Sequence, residues 1–497
     1  MRKIVLYGAG NRGKILVQLM DMCHIPIAAI VDSNSRLWGQ NIGKNIVESP
    51  EILHTEDCVN ICITVVASLA IDEIRKKLKN EYKLNFVEVS YLELIMSLYE
   101  KLDTDALLQP ENIFTNELKP TRVSVLFDCA YGLGLGGIEE WTKGICKEFL
   151  RHYPSSQSGS PNEKEEYAPY ILTNYGDYDI PCELKDSILR VDVDKDMPFS
   201  IHNISQIMNC IAMHLPCILV TSKPEDALLA GKLMKQKYGN AVKVISGIRG
   251  GSNEIYQNYM DMCSCTDLYV CVSSDIRRNM ISRGIAPDKI FTMICPINCP
   301  ENLTRKYTTE INKPIKLGYA GRLTIEQKRM DLMVKLLFEL EEMHIHYDFE
   351  FAGEGDCTSM LNDFINQNNC QGKVRLIGKI PNSRIPQFWQ ERDICINLAD
   401  YEGRSRSIAE AMANGAIPIV TATSGVNDDI LDGENGYIVD IGNYKAIARH
   451  VSYLAQKRDQ LPEMGKAAYL ALRAKSSMED HYLFWQQMIA IVKGRVP

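Results

Sequence analysis

Short runs of β-branched residues alternate with amphipathic helical stretches along almost the whole chain of 497 residues. This alternation is typical of parallel α/β sheets, in which a helix connects each strand to the next parallel strand. The pattern restarts at runs that begin near Lys3, Val123 and Ile315. We therefore predict an α/β fold with three Rossmann-like domains.

Two stretches between these blocks contain proline and show little periodicity, which indicates linkers. They divide the chain into predicted domains over residues 1–118, 119–312 and 313–477, followed by a terminal helix within 478–497. That helix, predicted over Met478–Val492, carries Tyr482, Trp485 and Met488 at helical spacing. An aromatic stripe of this kind favours a docking face over a ligand site.

Composition excludes several classes of protein. The 55 Lys and Arg against 63 Asp and Glu give a net charge of −8, which argues against a nucleic-acid partner. The apolar fraction of 45% excludes global disorder. The 16 cysteines contain no CxxC pair and no zinc-site spacing, so we predict reduced thiols, no metal and a cytoplasmic location.

A glycine motif near the start has the context of a dinucleotide-binding fingerprint. Gly8, Gly10 and Gly13 follow a predicted strand and open a helix, and Asp32 ends the next strand. Such glycines let backbone N–H groups reach a diphosphate, and the acid can bind a ribose hydroxyl. Position 15 is isoleucine, so the hydroxyl of a P-loop is missing. We predict a nucleotide bound here; the alternative is a turn that has lost its ligand.

This first block, over about 100 residues, resembles the nucleotide-binding N-terminal domains attached to sugar-modifying enzymes such as sugar acetyltransferases. The resemblance implies no activity of its own.

The third block carries two cations beside a predicted strand end. The strand Leu317–Ala320 runs into Gly321 and Arg322, and Lys328 follows shortly before a helix. Cations at the carboxyl end of a strand can neutralise a diphosphate, because doubly wound folds bind ligands at that edge. Solvated surface charges are the alternative.

Two glutamates farther along are separated by seven residues. Glu402 lies in the loop after a predicted strand, where it would face a sugar, and Glu410 lies in the next helix, where it could accept ribose hydroxyls. The intervening backbone N–H groups expected to point into the same cleft are those of Gly403, Arg404 and Ser405. The alternative for Glu410 is a capping box with Ser407, which leaves Glu402 unexplained.

Residues 121–497 resemble the retaining glycosyltransferases of the GT-B fold, in the large family four (glycosyl transferases group 1). The resemblance rests on several motifs in the same order. They are GGIEE at Gly136–Glu140, GRL with Arg322 and Lys328, AGEG at Ala352–Gly355, the pair Glu402 and Glu410, and EAMANG at Glu410–Gly415.

The resemblance implies an acceptor-side and a donor-side Rossmann-like domain facing one cleft, with the terminal helix crossing back to the acceptor side. It further implies a role for each matching residue. Arg322 and Lys328 would bind the donor diphosphate, Glu402 the transferred sugar, Glu410 the ribose, Ile380 the base, and Gly136 and Gly137 would lie beneath the diphosphate.

Two positions depart from the family pattern. Arg404, Ser405 and Arg406 stand where relatives often have an aromatic or small residue and a glycine, so the arginines are expected to select an anionic sugar or bind phosphate. Many relatives also have a histidine facing the donor sugar, whereas VISGIRGG at Val244–Gly251 offers Arg249.

We therefore expect a glycosyltransferase of the hexosyltransferase type that needs no cofactor and takes a nucleotide-sugar, with UDP-sugar favoured. The expected acceptor is a glycan or lipid-linked hydroxyl of surface polysaccharide biosynthesis, reached by peripheral contact at the inner face of the cell membrane. Two alternatives stay open: an inactive sugar-nucleotide-binding scaffold, and NAD(P)-dependent activity of the first domain.

Overall fold

The computed structural model describes residues 4–55, 59–64, 68–109, 122–133, 137–152, 166–176 and 178–494. Within these residues, three largely parallel sheets alternate with helices, which confirms the predicted α/β class with three Rossmann-like sheets. No helix in the described ranges is long and apolar enough to cross a membrane.

The chain groups into two compact units. One consists of Met1–Ser246, Glu254–Leu268 and Ile489–Val496, and the other includes Gly247–Asn253 and Tyr269–Met488. The boundary predicted between residues 118 and 119 lies outside the described residues. The domain boundaries inferred from the sequence stay a prediction.

The first sheet is built from six short strands and their connecting helices. The strands are β1 (Ile4–Tyr7), β2 (Ile27–Val31), β3 (Asn41–Ile42), β4 (Asn45–Glu48), β5 (Val59–Ile63) and β6 (Phe86–Glu88). The helices are α1 (Asn11–Met22), α2 (Ser68–Lys76) and α3 (Tyr91–Tyr99). The strand order is β3-β4-β2-β1-β5-β6, and only the β3–β4 pairing is antiparallel.

The second sheet has seven strands in the order β13-β12-β11-β10-β7-β8-β9. They are β7 (Arg122–Cys129), β8 (Glu166–Thr173), β9 (Ile188–Arg190), β10 (Cys217–Thr221), β11 (Val242–Ile248), β12 (Leu268–Cys271) and β13 (Ile290–Thr292). The helices are α4 (Gly137–His152), α5 (Ile201–Ala212), α6 (Asp226–Tyr238), α7 (Asn253–Asp261) and α8 (Ser274–Ser282).

The third sheet has six parallel strands in the order β16-β15-β14-β17-β18-β19. They are β14 (Ile315–Ala320), β15 (Tyr347–Ala352), β16 (Val374–Gly378), β17 (Ile394–Asn397), β18 (Ile417–Thr421) and β19 (Tyr437–Val439). The helices up to β18 are α9 (Met330–Glu342), α10 (Thr358–Gln367), α11 (Ile385–Gln390) and α12 (Arg406–Ala413). The later ones are α13 (Val426–Asp429), α14 (Tyr444–Gln456), α15 (Leu461–Arg473) and α16 (Met478–Val492).

All three sheets reverse their strand order at one place. The reversal falls between β1 and β5, between β7 and β10, and between β14 and β17. Connections leave neighbouring strands in opposite directions at such a switch point, which opens a crevice at the carboxyl ends of the strands. The topology therefore gives each sheet one preferred position for a ligand.

One hydrophobic core continues from the first sheet into the second. It contains Leu94 and Leu98 of α3 together with Ile204 and Ile211 of α5. The Tyr99 hydroxyl donates a buried hydrogen bond of 2.8 Å to the backbone oxygen of Phe199. Helix α3 of the first block is therefore packed against α5 of the second, and the two blocks share one core.

We predict that Tyr99→Phe lowers the free energy of unfolding by about 1–3 kcal/mol, because it leaves the buried Phe199 carbonyl without its donor. The measurement is a urea titration of the full-length chain followed by circular dichroism. Tyr175→Phe is the control, because Tyr175 is 71% exposed. Equal midpoints for the two variants would contradict the prediction.

Candidate functional site

Two glycine loops meet at the carboxyl edge of the third sheet. The Gly321 N–H donates to Ala352 O at 2.9 Å, and the Leu323 N–H donates to Glu354 O at 3.0 Å. Gly353 has a φ of +150°, and a Cβ on it would lie 1.8 Å from Gly321 O. A side chain at position 353 would therefore separate the two loops.

Of the two cations expected beside this edge, Lys328 contacts Glu402 directly, and Arg322 is connected to it through Gln327. Lys328 Nζ forms an ion pair with Glu402 Oε1, and the two side chains are 12% and 11% exposed. Arg322 Nη2 donates to Gln327 Oε1 at 2.6 Å, and Gln327 Nε2 donates to Tyr401 O at 3.0 Å. The structure thus brings Arg322, Lys328 and Glu402 together around the crevice between β14 and β17.

A second ion pair fixes the loop that carries Lys328. Arg329 has a φ of +53°, and its Nη1 donates to both Asp400 oxygens, at 2.9 and 2.8 Å. Its hydrogen bonds with Asp331 and Asp400 raise the pKa of Arg329, and the same guanidinium lowers the pKa of Asp331. Sequence reasoning missed Arg329 and Asp400, although each adjoins a recognised motif.

The buried Tyr319 side chain forms a hydrogen bond with the loop that carries Arg322. The Tyr319 hydroxyl donates to Arg322 O at 2.7 Å. Burial, and then the negative charge of Glu402, raise the pKa of Tyr319. The hydroxyl therefore remains a neutral donor near physiological pH, and the hydrogen bond to the loop persists.

Helix α12 carries Glu410, and the residue at which this helix begins excludes the capping-box interpretation of Glu410. The helix begins at Arg406, directly after the N-cap residue Ser405. Ser407 is therefore inside the helix, and the capping-box interpretation of Ser407 and Glu410 is wrong. Arg406 Nε donates to Glu410 Oε1 at 2.7 Å, an ion pair between residues one turn apart.

The role predicted for the Arg404 side chain differs from what the structure shows. Its side chain is 5% exposed, Nε and Nη2 contact Asp429 at 2.7 and 3.2 Å, and Nη1 donates to Cys295 O at 2.7 Å. The expectation that the Arg404 guanidinium selects an anionic sugar or phosphate is wrong, because the group is buried against a carboxylate. The role predicted for the backbone N–H groups of Gly403, Arg404 and Ser405 stays a prediction.

The segment Val244–Gly251, in which Arg249 replaces the histidine of the family pattern, brings Arg249 close to His481 of α16. Arg249 Nη1 contacts Cys295 Sγ at 3.5 Å. Burial, and then the Arg249 cation, lower the pKa of His481 to about 3, so His481 is neutral near physiological pH. Sequence reasoning missed His481 because it lies far along the chain, on a helix assigned only to docking.

The remaining donor-side and glycine-loop residues are less informative. Ile380 follows β16 and packs, half-buried, against an apolar cluster that includes Phe388. Gly137 is the first residue of α4, whereas Gly136 lies outside the described residues. The base-binding role of Ile380 and the diphosphate role of the glycine pair stay predictions.

The fingerprint of the first sheet is assembled as predicted from the sequence. Gly8 has a φ of +120°, Gly10 directly precedes α1, and a Cβ on Gly13 would lie 2.2 Å from Gly8 O. Asp32 Oδ2 accepts the Ala9 N–H at 2.7 Å. Asp32 thus fixes the loop itself.

The amino end of α1 also contacts the second sheet's connections. The side-chain amide of Asn11 donates to Asp196 O at 2.8 Å.

The other Asp32 oxygen, Oδ1, accepts the Asn34 N–H at 2.8 Å. Both carboxylate oxygens therefore already have a backbone donor, and nucleotide binding at this loop stays a prediction.

Comparison with known proteins gives one consistent result. Residues 301–471 match the family model described as glycosyl transferases group 1. The amylovoran biosynthesis glycosyltransferase AmsK of Erwinia amylovora is 25% identical over 280 residues, which are 53% of this chain and 67% of AmsK. The lipopolysaccharide core biosynthesis glycosyltransferase LpsE of Rhizobium meliloti is 24% identical over 181 residues, 36% of this chain and 51% of LpsE.

Solved structures support the same fold. Anabaena Alr3699/HepE in complex with UDP-glucose superposes with a TM-score of 0.59 at 14% identity, over 74% of this chain and 100% of HepE. That likeness concerns the fold, which in such structures is GT-B. Residues 301–471 are thus similar to the group 1 glycosyltransferases, and the chain shares the fold of GT-B glycosyltransferases.

Proposed function

We propose that the chain transfers a sugar from a UDP-sugar to a hydroxyl acceptor with retention of anomeric configuration, at the carboxyl edge of the third sheet. The observation that carries the proposal is the convergence of Arg322, Lys328 and Glu402 on the switch point between β14 and β17. A switch point is where doubly wound folds bind nucleotides.

In this proposal the two cations act on the donor diphosphate. Arg322 and Lys328 lie after the same strand, so both can reach phosphate oxygens from one side. Lys328 now pairs with Glu402, and a bound diphosphate would become its anionic partner. Fixed cations stabilise the negative charge that develops on the departing diphosphate, because they need no rearrangement as the bond to the sugar breaks.

The carboxylates bind the rest of the donor. Glu402 contacts the transferred sugar together with the backbone N–H groups that follow it, and Glu410 accepts the ribose hydroxyls from one turn into α12. Ile380 lies near the base. UDP is the favoured nucleotide because the structurally similar HepE has been solved with UDP-glucose.

The proposed acceptor is a glycan or lipid-linked hydroxyl of surface polysaccharide biosynthesis. This proposal follows the names of AmsK and LpsE, which refer to amylovoran biosynthesis and to lipopolysaccharide core biosynthesis. A lipid-linked acceptor would bring the enzyme to the inner face of the cell membrane by peripheral contact. We propose no nucleic-acid partner, in keeping with the net charge of −8.

We predict that Lys328→Ala lowers kcat by about 100- to 1,000-fold, the usual effect of removing one preorganised contact to developing charge. The assay is UDP release, with sugar donors and acceptors screened as a panel. Lys335→Ala, an exposed lysine on α9, is the matched control and keeps wild-type turnover. Near-normal turnover in a folded Lys328→Ala protein would exclude the proposed role.

Glu402→Gln separates the proposed transferase from an inactive sugar-nucleotide-binding scaffold. We expect it to retain UDP binding, measured by calorimetry, while sugar transfer falls, because the amide keeps the size but loses the charge facing the sugar. Donor binding without turnover in the wild-type chain would instead support the scaffold.

The stereochemical part of the proposal has its own test. A donor with an α-linked sugar is expected to give an α-linked product, read from the anomeric proton coupling in an NMR spectrum of the first product formed. A β-linked product would exclude retention and leave the transferase assignment intact.

A further inference from the structure

Arg404 follows the Glu402–Gly403 pair directly, yet its side chain turns away from solvent. The residue as a whole is half-buried, whereas its side chain is only 5% exposed. The surface that Arg404 exposes therefore belongs mainly to its backbone. The guanidinium of Arg404 is therefore not accessible to an anion in solution.

The guanidinium is bound at both ends. Nε and Nη2 contact the two oxygens of Asp429, and Nη1 donates to Cys295 O at 2.7 Å. Asp429 is itself 5% exposed and also pairs with Lys475 at 3.3 Å. A planar guanidinium that donates two hydrogen bonds to one carboxylate fixes the orientation of the two groups as well as their distance. A lysine ammonium cannot fix that orientation.

The backbone beside Arg404 is enclosed by two other loops. A Cβ on Gly403 would lie 1.8 Å from Arg249 O, and a Cβ on Gly251 would lie 2.1 Å from Glu402 O. On the other side, a Cβ on Gly425 would lie 2.8 Å from Gly403 O. The backbone of residues 402 and 403 thus lies between two loops that are too close to admit side chains at Gly403, Gly251 and Gly425.

The loop that carries Gly425 is anchored in turn. Gly425 has a φ of +81°, and its N–H donates to Asp275 Oδ2 at 3.1 Å. Asp428 accepts the Ser274 N–H at 2.8 Å. Asp429, the partner of Arg404, therefore belongs to a segment whose position is fixed independently of the Glu402 loop.

We propose that Arg404 is a positioning residue: its buried pairing with Asp429 and Cys295 O holds Glu402 and the backbone N–H groups of residues 403–405 in place toward the transferred sugar. This inference rests on the function proposed above. It assigns Arg404 to the geometry of the loop and not to recognition of an anionic donor.

The test combines a kinetic and an activity-independent measurement on the full chain. For Arg404→Lys we expect kcat to fall by about 10- to 100-fold, as small misplacements of reacting groups do, with a smaller change in donor KM. Amide hydrogen exchange in the peptide that spans residues 399–406 is expected to rise. Arg404→Met, which loses the charge as well, is expected to be more impaired than Arg404→Lys.

Arg305→Lys is the matched control. Arg305 and Asp393 form another buried pair, each 1% exposed, at the opposite edge of the same sheet, where Asp393 accepts the N–H of Lys316 near the start of β14. The control is expected to lower the unfolding temperature while kcat and exchange at 399–406 stay at wild-type values. An equal kcat loss in the control would overturn the proposal.

The milder variant Asp429→Asn keeps the inference testable if Arg404 variants fail to fold. Unchanged exchange at 399–406 in Asp429→Asn would overturn the positioning role whether or not the chain transfers sugar. Increased exchange in a protein that turns over no sugar nucleotide would uphold the loop contact and reject the proposed transferase function instead.

Discussion

The reversal of strand order between β14 and β17 is the constraint on which the rest of the site depends. It opens the crevice into which the loops after both strands project, so residues 74 positions apart in the chain, Lys328 and Glu402, come into contact. Each supporting interaction, from the Tyr319 hydroxyl to the Arg329–Asp400 pair, restricts the movement of one of those two loops. The chemistry proposed here needs that restriction, because a fixed charge stabilises a transition state better than a mobile one.

Much of the fold could be predicted from the sequence because periodicity is a local property. The bounds predicted for α16, Met478–Val492, agree with the structure, and the strand predicted at Leu317–Ala320 lies within β14. Arg322, Lys328 and Glu402 could also be proposed, since each stands beside a strand end or a glycine. Edge strands such as β3 and β9, with two and three residues, are too short to give a pattern.

The wrong expectation for Arg404 and the wrong alternative for Glu410 have different physical causes. The direction of the Arg404 side chain is decided by Asp429 and Cys295, and neither is near it in the sequence. A cation next to a predicted site residue such as Glu402 is interpreted as a ligand-binding group unless its buried partner, here Asp429, is known. The spacing of Ser407 and Glu410 in the sequence also fits a capping box. The observed start of α12 at Arg406 places Ser407 inside the helix and excludes the capping box.

The core shared by α3 and α5 has a consequence for how such a chain can be altered. A domain joined by a linker can be exchanged between homologues at the linker without exposing apolar surface. Here a cut between the first and second sheets would divide a single core and expose apolar side chains on both fragments. Removal of the first sheet would therefore expose apolar side chains of α5 that α3 now covers.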